Sequence, residues 1–67
     1  MSQSPNRKLK AKIIEIYGSQ VDFARLINWT EDRVSRLIHG RLSPRESERQ
    51  LIARKLGVPE HEVFPNS

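Results

Sequence analysis

Apolar residues recur along the chain at steps of three and four positions, the spacing that places side chains on one face of an α-helix. No stretch alternates strictly between apolar and polar residues. The Asn-Gly and Asp-Gly pairs typical of β-hairpins are absent as well. The pattern therefore predicts an all-α fold built from five short helices.

Capping residues and a glycine mark the ends of the first two predicted helices. The first is predicted from Arg7 to Tyr17 and ends at Gly18, and either Ser4 or Asn6 can cap its start. Its apolar face comprises Leu9, Ile13, Ile16 and Tyr17. Ser19 can cap the second helix. The apolar face of that helix comprises Val21, Phe23, Ala24 and Ile27.

The third helix is predicted between a cap at Thr30 and a stop at Gly40. Asn28 ends the helix before it, because asparagine tolerates the left-handed conformation of a sharp turn. Trp29 and Val34 lie at the two positions of a hydrophobic staple, which would set the angle at which the chain enters the helix.

The last two helices are marked by proline and glycine. Ser43-Pro44-Arg45-Glu46 has the pattern of a capping box with proline at the first helical position. We expect the fourth helix to continue to Leu56, before Gly57, and a short fifth helix to span residues 59–64. The residues of the fourth helix expected in the core are Leu51, Ile52 and Leu56.

The second and third helices together have the spacing of a helix-turn-helix motif. Such a motif needs a small residue where the helices cross, a turn former, and two apolar residues on the inner face of the second helix. Those positions are occupied by Ala24, Asn28, Val34 and Leu37. Two ordinary packed helices rarely combine this spacing with a short turn and a staple, so a helix-turn-helix is the preferred interpretation.

At these residues the chain resembles the phage Cro and repressor family, also called Xre-like regulators. The resemblance extends from Leu9 to Phe64, with Asn28 where that family usually has glycine. It is carried by Gln20, by Val34-Ser35-Arg36-Leu37 with His39-Gly40-Arg41, and by Leu56-Gly57-Val58 with Glu62-Val63-Phe64. The resemblance implies a five-helix, lambda-repressor-like domain that regulates transcription in a bacterium or its phage and inserts its third helix into the major groove.

On a helical wheel of the third helix, Val34, Leu37 and Ile38 fall on one side, which we expect to face the core, and polar residues fall on the opposite side. Arg36 is the best candidate on that face for a bidentate contact with guanine. The predicted base-reading residues are Glu31, Asp32, Arg33, Ser35, Arg36 and His39. For Glu31 and Asp32 the simpler explanation is that acids suit the positive end of a helix.

Phosphate contacts are expected around the motif rather than on its reading face. The start of the second helix offers free N–H groups to an anion, and basic side chains flank the motif. The predicted phosphate-binding residues are Lys12, Ser19, Gln20, Arg41 and Arg45, with Arg7, Lys8 and Lys10 as a basic arm. For each basic side chain, a solvated surface position is an equal alternative.

Charge and size narrow the function classes. The net charge of +4 lies entirely in residues 1–41, which hold eight Lys and Arg against four acids, and this favours a polyanionic partner. The chain has 67 residues and no cysteine, which leaves little interior for an enzyme pocket. Its two histidines are too few for a metal site, so we expect no enzyme, metal or cofactor.

The predicted organisation is a flexible tail at 1–6, a DNA-binding domain at 7–64 and a short tail at 65–67. The partner is expected to be double-stranded DNA, bound by a weak homodimer or by a dimer that forms on the DNA. With no apolar segment long enough to span a membrane or to form a signal peptide, we expect a cytoplasmic, nucleoid-associated protein. The alternatives are a protein-interaction module such as an antitoxin, and a helical bundle with no nucleic-acid function.

Overall fold

The computed structural model describes residues 5–65, which form five α-helices and no strand. The helices are α1 (Arg7–Tyr17), α2 (Gln20–Leu26), α3 (Glu31–Ile38), α4 (Glu46–Leu56) and α5 (Glu60–Val63). The all-α, five-helix prediction is therefore confirmed. Within the described residues no helix is both long and apolar enough to cross a bilayer.

Side-chain caps begin the first three helices. The Ser19 hydroxyl accepts a hydrogen bond from the Asp22 amide, and the Thr30 hydroxyl accepts one from the Arg33 amide, so both predicted caps are confirmed. At α1 the cap is Asn6, whose side-chain oxygen accepts from a backbone amide in the first turn at 3.0 Å. Ser4, the other candidate, lies outside the described residues.

The predicted start of α4 is wrong by two residues. Pro44 is not the first helical residue, and Ser43 does not cap the helix, which begins at Glu46 with Arg45 as its N-cap residue. The Glu48 carboxylate accepts the Arg45 backbone N–H at 2.8 Å. This bond satisfies an amide at the helix start, and it draws the first turn two residues further along the chain than the capping-box pattern predicts.

Left-handed residues end α2, α3 and α4 as predicted. Among the described residues, Asn28 is the only one other than glycine with a positive φ (63°). Its short polar side chain makes this conformation accessible. In each of these three endings, the amide after the left-handed residue donates to the carbonyl five residues back, as in a Schellman motif. These bonds are Trp29 to Ala24 at 2.7 Å, Arg41 to Arg36 at 2.8 Å and Val58 to Ala53 at 3.1 Å.

One core combines side chains from all five helices. Its fully buried large side chains are Leu9, Ile13, Phe23, Val34, Ile38, Ile52 and Val63. The prediction that Ile16 joins this core is wrong, since Ile16 is 44% exposed. The neighbouring Tyr17 packs its ring against Phe23 and donates its hydroxyl to the Lys55 carbonyl, so Tyr17 occupies the inward position at the end of α1. Tyr17 and Leu51 are partly buried against the core.

Candidate nucleic-acid interface

The second and third helices are joined by a tight turn at residues 27–30. Ala24, Val34 and Leu37 are buried, and the turn residue Asn28 has the predicted left-handed backbone. The Ala24 carbonyl accepts the Trp29 amide, which closes the turn against the end of α2. The small residue, the turn former and the inner apolar pair thus lie where the spacing placed them.

The side of α3 away from the core, here called the outer face, carries Glu31, Asp32, Arg36 and His39. All four of these residues are exposed, and Ser35 beside them is half-buried. Arg36 is 64% exposed, and its Nε atom lies 3.0 Å from the Asp32 carboxylate, one helical turn earlier. The ion pair is made by Nε, and among residues 5–65 no carboxylate is paired with the two terminal nitrogens of the guanidinium, the atoms that a bidentate guanine contact can use.

Arg33 has a different environment. Its guanidinium lies 3.9 Å above the ring of Trp29, and its Nη2 atom donates to a Glu48 carboxylate oxygen at 2.6 Å. The side chains of Arg33 and Glu48 are 43% and 22% exposed, so the pair is partly shielded from water. Although the wheel placed Arg33 with the predicted base readers, its guanidinium is engaged with other residues of the protein.

Glu48 joins two segments through its two carboxylate oxygens. One oxygen accepts the Arg45 backbone amide, and the other accepts the Arg33 guanidinium. The hydrogen bond from the Arg45 amide, together with the positive charge of Arg33, holds the pKa of Glu48 below its ordinary value, although partial burial opposes the shift. Glu48 is therefore ionised at neutral pH.

Asn6 holds the other end of α3. Its backbone amide donates to the Ile38 carbonyl at 2.6 Å, and its side-chain amide donates to the Val63 carbonyl. Both carbonyls belong to the last turns of helices, where no intrahelical donor is available. Since Asn6 also caps α1, it ties the ends of α3 and α5 to the start of α1 and belongs structurally to the helical domain.

The predicted phosphate-binding residues do not share one environment. Ser19 and Gln20 are half-buried at the start of α2, and the Ser19 oxygen is used as a cap. Lys12 lies between two acids, 3.7 Å from Glu15 and 4.0 Å from Glu62. The ammonium of Lys12 is thus partly neutralised within the protein.

Arg41 and Arg45 are exposed and lie in the segment 39–45 that joins α3 to α4. Among residues 5–65, no carboxylate oxygen lies within 4 Å of either guanidinium. The Arg41 amide is bonded to the last turn of α3, so its Cα has a defined place beside the outer face. Arg41 and Arg45 are consequently the predicted phosphate ligands with the most accessible charge.

Sequence reasoning missed three residues that shape this surface: Trp29 as a platform for Arg33, Glu48 as its partner, and Asn6 as an anchor. The spacing of four residues between Trp29 and Arg33 is a local signal for their contact, and the same spacing joins Asp32 to Arg36. Glu48 lies 15 residues from Arg33, so no local pattern indicates that pair. The part of the chain that the structure describes also brings no three potential metal ligands together.

Comparisons of the chain with protein-family models, with curated proteins and with solved structures returned no match. The resemblance to the Cro and repressor family therefore stays a prediction. Any assignment of function must rest on the geometry of α2, the turn and α3.

Proposed function

We propose that this protein is a sequence-specific DNA-binding regulator that inserts α3 into the major groove. The observation that carries the proposal is the division of α3 into two sides. Val34, Leu37 and Ile38 are buried, while Asp32, Arg36 and His39 on the other side are exposed. A helix fastened by its inner side and open on its outer face has the form needed to enter the groove, which admits one α-helix.

Within this proposal Arg36 is the principal base reader. Its terminal nitrogens match the O6 and N7 acceptors of guanine, and the Asp32 carboxylate holds its Nε atom. Ser35 and His39 can form further hydrogen bonds along the groove. Glu31 and Asp32 would act chiefly by rejecting wrong bases, because carboxylates near phosphates contribute repulsion rather than affinity.

Phosphate contacts would fix the position of the helix. Arg41 and Arg45 extend the positive charge beyond the end of α3, and the start of α2 presents Gln20 and free amides. One helix reads few base pairs, so we propose that two copies bind a near-palindromic site. Their α3 helices would then lie about 34 Å apart, one turn of B-DNA.

Selection of bound duplexes from a random pool tests the proposal directly. The full chain should enrich a short consensus with two inverted half-sites, centred about one helical turn apart. Arg54→Ala is a suitable control variant, because Arg54 is an exposed arginine at the far end of α4. That variant has the same net charge as Arg36→Ala and should return the parent consensus.

A pool that stays random after repeated rounds would contradict the proposal. Binding to DNA would then be no stronger than the net charge of the protein dictates, and the result would favour the alternative of a helical bundle with no nucleic-acid function. A consensus without inverted symmetry would support sequence-specific DNA binding and contradict binding as a symmetric dimer.

A further inference from the structure

The connection between α3 and α4 is made by side chains rather than by close packing of the two backbones. No Cα atom of α3 lies within 8 Å of a Cα atom of α4. Residues 39–45, which join these two helices, contain no helix or strand. The backbone of α3 packs on α2 and α1, so a side-chain contact that crosses this gap adds a link between α3 and α4 to that packing.

The Arg33–Glu48 pair crosses the gap at the two helix starts. Arg33 is in the first turn of α3, and Glu48 is in the first turn of α4. Because the second Glu48 oxygen accepts the Arg45 amide, the carboxylate is itself held in place. Trp29 covers one face of the Arg33 guanidinium, and the Glu48 carboxylate binds its edge. These two contacts together hold the Arg33 side chain in place.

The energetics favour a geometric role. An ion pair with this much exposure contributes little to the free energy of unfolding. A planar guanidinium held by a ring and a carboxylate can nevertheless adopt few orientations. The value of such an arrangement lies in reduced freedom of α3, which lowers the ordering cost of binding.

We propose that Trp29 and Glu48 are positioning residues that act through Arg33 to fix the direction of α3. Arg33 is thereby assigned to the support of the outer face rather than to base reading. The part of this inference that concerns docking rests on the proposed function. The part that concerns the support itself does not.

A DNA-free measurement tests the support. Trp29 is the single tryptophan of the chain, so the fluorescence comes from Trp29 alone, and its quenching reports how accessible the ring beneath the Arg33 guanidinium is. Arg33→Gln removes the guanidinium that covers the ring, and Glu48→Gln removes the carboxylate that holds the guanidinium there. Both variants should therefore make Trp29 more accessible to acrylamide. Glu46→Gln removes an acid from the same helical turn and should leave the quenching of the parent unchanged.

DNA binding tests the consequence, with the strongest duplex from the selection as the probe. Arg33→Gln and Glu48→Gln should each weaken binding by about 2- to 30-fold, the range of coupling through a packed network. The double variant should lose no more than the weaker-binding single variant. Selection with either variant should lower preference at all contacted base pairs together, whereas loss of one base reader relaxes one pair.

The salt dependence separates support from direct contact. If Arg33 supports α3, the log–log slope of affinity against salt stays at the parental value in Arg33→Gln. If Arg33 touches a phosphate, that slope falls by about one. If it reads a base, Glu48→Gln binds as well as the parent or better, since a nearby carboxylate is removed. Either of the last two results would overturn the inference.

The two proposals fail in different ways. If the parent selects a consensus and Glu48→Gln binds it equally well, the docking role of Glu48 is contradicted and the proposed function stands. If the parent has no preferred sequence, the proposed function and the docking consequence are both contradicted. The Trp29 quenching then tests by itself whether Glu48 holds Arg33 in place. If Glu48→Gln does not fold, Glu48→Asp keeps the charge and shortens its reach to Arg33, and should raise the Trp29 quenching in the same way.

Discussion

The inner and outer sides of α3 have opposite environments although they belong to the same eight residues. On the inner side Leu37 is 4% exposed and packs in the core, where each methylene is surrounded by other side chains. On the outer face Arg36 and Asp32 form an ion pair with each other, and their side chains are 64% and 71% exposed. Substitutions on the inner side should therefore change stability, and substitutions on the outer face should change binding.

Arg33 lies between these sides and shares features of both. Like the inner residues it is held by contacts from other segments, namely Trp29 and Glu48. Like the outer residues it is charged and partly exposed. Its substitution should therefore affect binding through geometry, with a small effect on stability.

The largest expected effect comes from the inner side. Leu37→Ala should lower the free energy of unfolding by about 2–5 kcal/mol, because it removes buried methylenes and leaves a cavity. A small domain has only a few kcal/mol in total, so much of this variant would be unfolded. Chemical denaturation followed by circular dichroism measures the loss. Leu26→Ala is the matched control, since Leu26 is 46% exposed and its loss should stay within about 0.5 kcal/mol.

Arg36→Ala tests the outer face. Its free energy of unfolding should change by no more than about 0.5 kcal/mol, whereas binding to the selected duplex should weaken by about 1–3 kcal/mol. Preference should relax at one base pair, which repeated selection with the variant would show. An unchanged consensus would remove Arg36 from base reading. Arg54→Ala again serves as the control of equal charge.

A smaller and less specific effect is expected beyond the end of α3. Arg41→Ala should weaken binding to all duplexes alike and reduce the log–log salt slope by about one, the value for one lost phosphate contact. Lys12→Ala should change the slope less than Arg41→Ala does, because Glu15 and Glu62 already balance part of the Lys12 charge. Equal slopes for the parent and Arg41→Ala would contradict the phosphate assignment.

The smallest expected effect is on the pH dependence of stability, and it arises from Glu48. Because the pKa of Glu48 is lower in the folded state than in the unfolded chain, its contribution to stability is complete at pH values above the pKa of an unfolded glutamate. The contribution disappears as the pH falls through the lower folded value. The parent should therefore exceed Glu48→Gln in stability by up to about 1 kcal/mol at pH 7 and match it in strong acid.

Denaturation midpoints at neutral and acid pH, measured for the parent and Glu48→Gln, provide the comparison. Glu46→Gln is the control for the general effect of an acid at the start of α4. A difference between the parent and Glu48→Gln that persists unchanged in strong acid would show that ionisation of Glu48 does not contribute.

Local rules were sufficient for most of the helices and for the two sides of α3. The caps at Ser19 and Thr30, the left-handed turn at Asn28 and the inward set of α3 were all predicted, because each depends on residues within one or two helical turns. The same rules failed at the start of α4. There Glu48 accepts the Arg45 amide, and a cap predicted at Ser43 lost to one formed further along the chain.

The five helices, their order and the polar side of α3 follow from the amino-acid sequence, since periodicity and capping act over a few residues. The partners of the polar side chains follow instead from how the helices pack. This packing brings Glu48 to Arg33 and Asn6 to the carbonyls of Ile38 and Val63, over separations that no spacing pattern encodes. These contacts depend on distance in space, and residues this far apart along the chain become neighbours only through the packing of the helices.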